Sequence, residues 1–282
     1  MTKQLLSGQV FHLPKLVGIL NITPDSFSDA GRFFSPSKAL EQANRLLDEG
    51  ADILDVGAES TRPNATPLSA KTEIQRLKPI LTLLKDAKIP FSLDSYKAQT
   101  AAFALPYGAE MINDIGGLQK DPNMATIIAQ SAQKTGKHPL VVVMQSLSEK
   151  NPNLPLKEQF QIFFEKSLKI AEKAGIPTDK LILDPGIGFG KTPEQNIECL
   201  SLIPFLKETY QLPILIGLSK KGFLGQFNPL PHEASERLPT TLGADFFAAL
   251  KGADILRVHD ISAHKSFFQI LKTLFSLEES HP

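Results

Sequence analysis

Short apolar runs recur along the chain, each closed by turn residues and followed by a longer stretch with helical spacing. They are "LVGILN" (16–21), "DILDV" (52–56), "FSLDS" (91–95), "MINDI" (111–115), "LVVVMQ" (140–145), "LILDPG" (181–186), "ILIGLS" (214–219) and "DILRVHD" (254–260). Runs of this length, rich in Val, Ile and Leu, read as buried strands. Between them lie segments such as "PSKALEQANRLLDEG", ending at Gly50, "KTEIQRLKPILTLLKD", and "LKEQFQIFFEKSLKIAEKAG", ending at Gly175. Each places apolar residues near i, i+3 and i+4, and two finish on the glycine that commonly terminates a helix.

Strands alternating with amphipathic helices imply right-handed βαβ units around a parallel sheet. Eight such units in 282 residues predict a closed (β/α)8 TIM barrel, for which roughly 250 residues are usual, rather than an open doubly wound sheet. The first strand leads into "NITPDSFSDAGRF", which lacks the G-x-G-x-x-G of a dinucleotide-binding fold. No linker or low-complexity tract divides the chain. Residues 1–282 are expected to form one domain, with 1–14 an N-terminal extension and "LSEKNPNLP" (147–155) a loop after the fifth strand.

The polar residues on these strands are not scattered. Asn21, Asp55, Asp94, Asn113 with Asp114, Asp184, Ser219, and Arg257 with His259 all lie at or just past the C-terminal end of an apolar run. In a barrel those ends converge on one rim, where the connecting loops build the active site. A carboxylate on a buried strand costs several kcal/mol unless it gains partners, so a whole ring of them points to function. Asp55 and Asp114 are as well suited to capping or supporting roles as to ligand contact. Asp94, Asn113 and Asp184 are mainly acceptors and fit a flat heterocycle carrying N–H and NH2 donors. Arg257 and His259, with Asn21 across the barrel closure, suit a phosphate or pyrophosphate and its metal. "LSKKG" (218–222) adds two lysines where barrels often handle anions; Lys221, beside the strand-end turn, is the functional candidate and Lys220 the surface one.

Charge and composition narrow the partners. Thirty basic residues balance thirty acidic ones, so no overall field attracts nucleic acid or an anionic membrane, and anion binding must be local. The N-terminus lacks the apolar core of a signal peptide, and no apolar run is long enough to span a bilayer, so a cytoplasmic location is expected. Cys199, the one cysteine, excludes an internal disulfide and reads as a buried helical thiol.

The corner "LILDPGIGFGKT" (181–192) superficially resembles a phosphate loop, but the interval from Gly186 to Lys191 is too short for G-x-x-x-x-G-K-[ST]. Lys191 and Thr192 are expected to face solvent or start a helix. Gly186, Gly188 and Gly190 are expected to let the backbone approach a planar ligand, with Phe189 packing on it or on the rim, and Asp184 facing its donors.

Together "GILNITPDSFSDAGRF", "DILDVGAESTRP", "SLDSYK", "INDIGG", "LILDPGIGFGKT" and "RVHD" resemble, in order and over nearly the whole chain, the signatures of the dihydropteroate synthases. The resemblance implies a dimeric (β/α)8 barrel, a target of sulfonamide drugs. It implies condensation of 6-hydroxymethyl-7,8-dihydropterin pyrophosphate with p-aminobenzoate to dihydropteroate and pyrophosphate, a step of folate synthesis. By motif, Asp94, Asn113, Asp184, Lys221 and Arg257 would hold the pterin, with Met144, Phe189 and Gly217 at the pocket. Asn21, Arg257 and His259 would meet pyrophosphate, and Mg2+ would bridge its oxygens to Asn21. Phe27, Thr61, Arg62, Pro63 and Gly222 would receive p-aminobenzoate, with Asp29, Arg62, Lys221 and Arg257 the catalytic groups.

Two positions depart from the family pattern. After the seventh strand the family usually reads Ser-Arg-Lys-Ser, whereas here Ser219-Lys220-Lys221-Gly222 lacks the last hydroxyl. Such a lost donor is worth about 1–2 kcal/mol, which predicts weaker binding of p-aminobenzoate or sulfonamides. Gln145 stands where the family carries a histidine. These departures motivate a non-catalytic pterin-binding paralogue as one alternative. A pterin-dependent methyltransferase is another, although it would have no use for the "STRP" loop or the "RVHD" phosphate site.

Overall fold

The computed structural model describes residues 2–4, 10–23, 35–60, 66–146, 154–227, 233 and 236–280. Eight parallel strands form the barrel: β3 (Lys15–Asn21), β4 (Ile53–Gly57), β5 (Phe91–Asp94), β6 (Ala109–Asp114), β7 (Leu140–Met144), β8 (Leu181–Asp184), β9 (Leu215–Ile216) and β10 (Ile255–Val258). Their order around the sheet is β8-β7-β6-β5-β4-β3-β10-β9, and a parallel bridge from Leu183 to Ile214 closes the ring. The strand expected over 214–219 is reduced to Leu215–Ile216. Gly217 follows it, and the chain then turns back on itself, with Lys221 N donating to Leu218 O at 3.1 Å.

The extension before the barrel carries structure of its own. β1 (Thr2–Gln4) and β2 (Val10–His12) pair antiparallel and contact α9 (Ile261–Ser280) and α8 (Leu238–Leu250) respectively. The remaining helices are α1 (Pro36–Asp48), α2 (Ala70–Asp86), α3 (Ala98–Ala104), α4 (Met124–Thr135), α5 (Leu156–Ala174), α6 (Pro193–Ser201) and α7 (Ile203–Tyr210). Their starts follow local chemistry. The Ser35 and Ser69 hydroxyls accept from the backbone N–H three residues on, and Thr192 with Gln195 forms a reciprocal capping box. Gly175 ends α5 at φ +80°, the left-handed conformation a C-terminal glycine supplies most cheaply. Among the described residues no helix is long and apolar enough to cross a membrane.

Two side-chain populations alternate along each strand. Leu54, Val56, Leu93, Ile112, Val143, Leu183, Leu256 and Val258 face outward into the large core beneath the helices. Val17, Met111, Val142, Ile182 and Leu215, with Ile53 and Ile255, form a separate apolar cluster inside the barrel. That plug fills the interior and confines any ligand to the C-terminal mouth.

Candidate active site

The mouth is built two residues beyond the plug. Asp55 follows Ile53 on β4, Asn113 follows Met111 on β6, and Met144 follows Val142 on β7. Asp184 follows Ile182 on β8, Gly217 follows Leu215 after β9, and Arg257 follows Ile255 on β10. The two-residue period keeps each on the same face as the apolar residue below it. Asp94, at the end of β5, joins them.

Arg257 is the centre of this ring. Its Nε donates to Asp55 Oδ2 at 2.5 Å and its Nη2 to Asp94 Oδ2 at 2.6 Å. Asp55 Oδ2 also accepts from Asn113 Nδ2 at 2.9 Å, leaving Asn113 Oδ1 a buried acceptor with no protein partner. Burial would lower the Arg257 guanidinium, but Asp55 and then Asp94 outweigh it and hold the charge well above the usual range. Burial pushes the Asp94 carboxyl up to about 7, against the pull of Arg257. Asp55 thus anchors the cation; its in-phase position after Ile53 signals in the sequence that it faces the mouth, while its partner there is set by the fold.

On the opposite wall, Asp184 is 7% exposed and accepts from Gly186 N at 2.7 Å through Oδ1. Burial raises its pKa, and the Gly186 amide, Lys221, Lys191 and Arg257 oppose that rise. The Lys221 ammonium donates to the Ile187 carbonyl and lies 4.6 Å from the centre of the Phe189 ring. Burial lowers Lys221 to about 8, with Asp184 the chief counterweight. Gly217 leaves space beside Arg257: a Cβ there would meet only Arg257 Cβ, at 3.9 Å.

Ser219 and His259 lie at the next station of the rim. The Ser219 hydroxyl pairs with His259 Nδ1 at 2.9 Å and accepts from His259 N at 3.2 Å, so one side chain fixes both ring and backbone. Lys220 is tied to Asp260 at 3.1 Å, consistent with a surface role. Asn21, half-buried at the end of β3, pairs in register with Gly57. Gly222 is exposed, and a Cβ there would meet nothing within 4 Å.

The structure fills in the glycine corner and revises one expectation about it. A Cβ on Gly186 would come within 1.8 Å of the Gln145 carbonyl, and one on Gly188 within 2.8 Å of Lys221 Cδ. Both glycines also have positive φ, +66° and +81°. The missing Cβ atoms of these two glycines make room for a neighbouring strand end and for the Lys221 stem. Lys191 is not solvent-facing. Its ammonium is enclosed and donates to Gln145 Oε1 at 2.6 Å and to Gly186 O at 2.9 Å. No periodic signal marks that pairing in the sequence. Thr192 does start a helix, and Cys199 is fully buried in α6, its thiol pushed up to about 12 by burial.

Asp114 belongs to the other face of β6. Its two oxygens accept from Gly116 N and Leu118 N, each at 2.7 Å, so it caps the turn. Phe27, Asp29, Thr61, Arg62 and Pro63 lie outside the described residues, as do residues 147–153 of the fifth loop.

Comparison with known proteins converges on one family. The model of the pterin binding enzymes matches residues 17–259. A dihydropteroate synthase of Clostridium beijerinckii is 40% identical over 248 residues, covering 87% of this chain and 88% of that one. The crystal structure of dihydropteroate synthase from Clostridium difficile in the presence of pteroic acid superposes with a TM-score of 0.85 at 38% identity, covering 93% and 96% of the two chains. The Xanthomonas albilineans enzyme with 4-aminobenzoic acid gives 0.84 at 33% identity, covering 97% of each. The ring of strand-end groups, the order of the motifs and these likenesses agree: the chain belongs to the dihydropteroate synthase family of pterin-binding enzymes.

Proposed function

We propose that this protein condenses 6-hydroxymethyl-7,8-dihydropterin pyrophosphate with p-aminobenzoate, releasing pyrophosphate, and that it does so as a cytoplasmic homodimer with Mg2+. The observation that carries the reading is Arg257, held charged between Asp55 and Asp94 at the mouth of the barrel. Around it, Asp94, the free Oδ1 of Asn113 and Asp184 present acceptors to a ring that carries N–H and NH2 donors. Lys221 supplies the opposing donor to the ring carbonyl, and Met144, Phe189 and Gly217 shape a flat slot.

The chemistry asked of these residues is charge handling rather than nucleophilic activation. Arg257 and His259 stabilise negative charge as the C–O bond to pyrophosphate breaks, with His259 oriented by Ser219. The acceptors around the pterin stabilise the delocalised methylene cation, to which Asp29 would contribute. The aniline nitrogen of p-aminobenzoate then forms the new C–N bond and loses its proton. Phe27, Thr61, Arg62, Pro63 and Gly222 would receive that second substrate, its carboxylate included.

Mg2+ fits as a guest of the substrate. Among the described residues no group of three or more His, Cys, Asp or Glu could hold a metal. This hard cation commonly keeps its waters and binds through one or two protein oxygens plus substrate phosphates, so the Asn21 side-chain oxygen suffices as a protein ligand. When bound, it neutralises charge on the departing diphosphate. A dimer would cover apolar side chains such as Phe247 on α8 and Ile270 and Leu274 on α9, which are exposed in the single chain. Sedimentation of the purified protein tests it.

Purified protein, pterin pyrophosphate, Mg2+ and labelled p-aminobenzoate are expected to give labelled dihydropteroate and an equal amount of pyrophosphate. Omitting Mg2+ should abolish most of the turnover. Tight pterin binding without either product would instead indicate a non-catalytic paralogue, and failure to bind the pterin pyrophosphate would end the reading.

A further inference from the structure

Behind the pterin-facing wall, one enclosed ammonium meets three acceptors. Lys191 Nζ donates to Gln145 Oε1 at 2.6 Å, to the Gly186 carbonyl at 2.9 Å and to the Gln145 carbonyl at 3.3 Å. An ammonium carries three protons, and each has a partner here. Gln145 is 2% exposed and directly follows β7, while Gly186 lies in the turn directly after β8. The Gln145 backbone N–H also donates to the Asp184 carbonyl at 2.8 Å. The contacts therefore tie the exits of two adjacent strands together at the level of Asp184.

Enclosing a cation here is costly, because burial disfavours the charged form. It lowers Lys191 to about 8. Helix α6 does not require it, since the Thr192–Gln195 capping box already satisfies its first turn. What the ammonium does reach is the turn that serves the pterin wall twice. Asp184 precedes that turn and accepts from its Gly186 amide, and the Ile187 carbonyl within it accepts from Lys221. The same turn is held from the helix side, where Gly188 N donates to Asn196 Oδ1 at 2.6 Å. Asn21 and His259 belong to other strand exits, and Gly222, which follows Lys221 after β9, takes no part itself in these bonds.

We infer that Lys191 and Gln145 are a pair of positioning residues for the pterin subsite, clasping the exits of β7 and β8 so that Asp184 and Lys221 meet the ring at one fixed spacing. The inference rests on the pterin reading proposed above. Neither residue is among the substrate contacts proposed above. Their loss therefore acts through the geometry of Asp184 and Lys221, and it should divide the two substrates.

The test uses Lys191→Met, Gln145→Leu and the double variant. Thermal unfolding is recorded for each, and steady-state rates are measured with the pterin pyrophosphate, p-aminobenzoate and Mg2+. The expected KM for the pterin pyrophosphate rises by about ten- to a hundredfold in Lys191→Met, because a small misplacement of reacting groups has effects of that size. The KM for p-aminobenzoate stays within about twofold. The double variant is no worse than the more damaging single one, since both remove the same link. Should Lys191→Met fail to fold, Gln145→Leu decides alone, with an expected pterin KM about threefold higher or more. A folded variant with an unchanged pterin KM, or with both KM values rising together, overturns the inference. Wild-type protein that yields no dihydropteroate would sink the catalytic reading rather than this one; calorimetric titration with the pterin pyrophosphate then reads the same split as a change in Kd. Wild-type protein that does not bind the pterin pyrophosphate at all overturns both.

Discussion

Ile182 and Asp184 are two residues apart on one strand and share one face of it, yet they belong to different worlds. Ile182 joins Val17, Met111, Val142 and Leu215 in an apolar plug whose layer also holds the buried Ser92, whereas Asp184 lies one level higher with Asn113, Met144 and Arg257. The same step separates Ile53 from Asp55 and Ile255 from Arg257. Backbone geometry is common to both levels, so what differs is the neighbourhood. Below, each side chain is closed in by other side chains. Above, the barrel opens, and charges compensate one another across the mouth. Stability is invested in the lower level and recognition in the upper, and substitutions at the two should separate cleanly.

The largest effect is expected at Arg257, where the two concerns meet. Arg257→Met leaves the Asp55 and Asp94 carboxylates facing each other without their cation. Breaking a buried pair in this way costs about 3–5 kcal/mol. Denaturant unfolding should show that loss, and turnover should fall by on the order of a thousandfold or more. Full stability in this variant would mean that the upper level carries no structural load. Asp184→Asn is the cleaner test of recognition. The amide keeps an oxygen for Gly186 N but replaces the other acceptor by a donor, so pterin affinity measured by calorimetry should drop about a hundredfold, with little change in melting temperature.

A smaller effect of opposite kind is expected one level down. Ile182→Val removes one methylene from the plug and should cost about 1 kcal/mol in chemical denaturation, with both KM values unchanged. A shifted pterin KM would show that the two levels are mechanically coupled. The smallest effect belongs to Gly222→Ser. The position is open and its φ is unstrained, so a hydroxyl can be added without displacing anything. The KM for p-aminobenzoate should fall by roughly three- to tenfold if the missing donor matters. No change would assign the carboxylate to backbone amides alone.

Much of this architecture was legible along the chain. Eight apolar runs, each followed by an amphipathic stretch, announce the barrel, and their polar tips announce the mouth. The rule that divides function from capping was legible too, though it needs phase. Asp55, Asn113, Asp184 and Arg257 each stand two residues after a plug residue, while Asp114 falls on the alternate face and caps its own turn. At the glycine corner composition signalled the left-handed backbone, but not that Gln145 and Lys221 would pack against it.

Local pattern was enough to set the strand count, the helix starts at Ser35, Ser69 and Thr192, and which residues arrive at the rim, because alternation and capping act over a few neighbouring residues. Closure of the ring settled who pairs with whom. Arg257 reaches Asp55 across 202 residues and Asp94 across 163, and Lys191 reaches Gln145 across 46. Such partnerships depend on the stagger with which strands meet around the barrel, and no short stretch of chain carries that information.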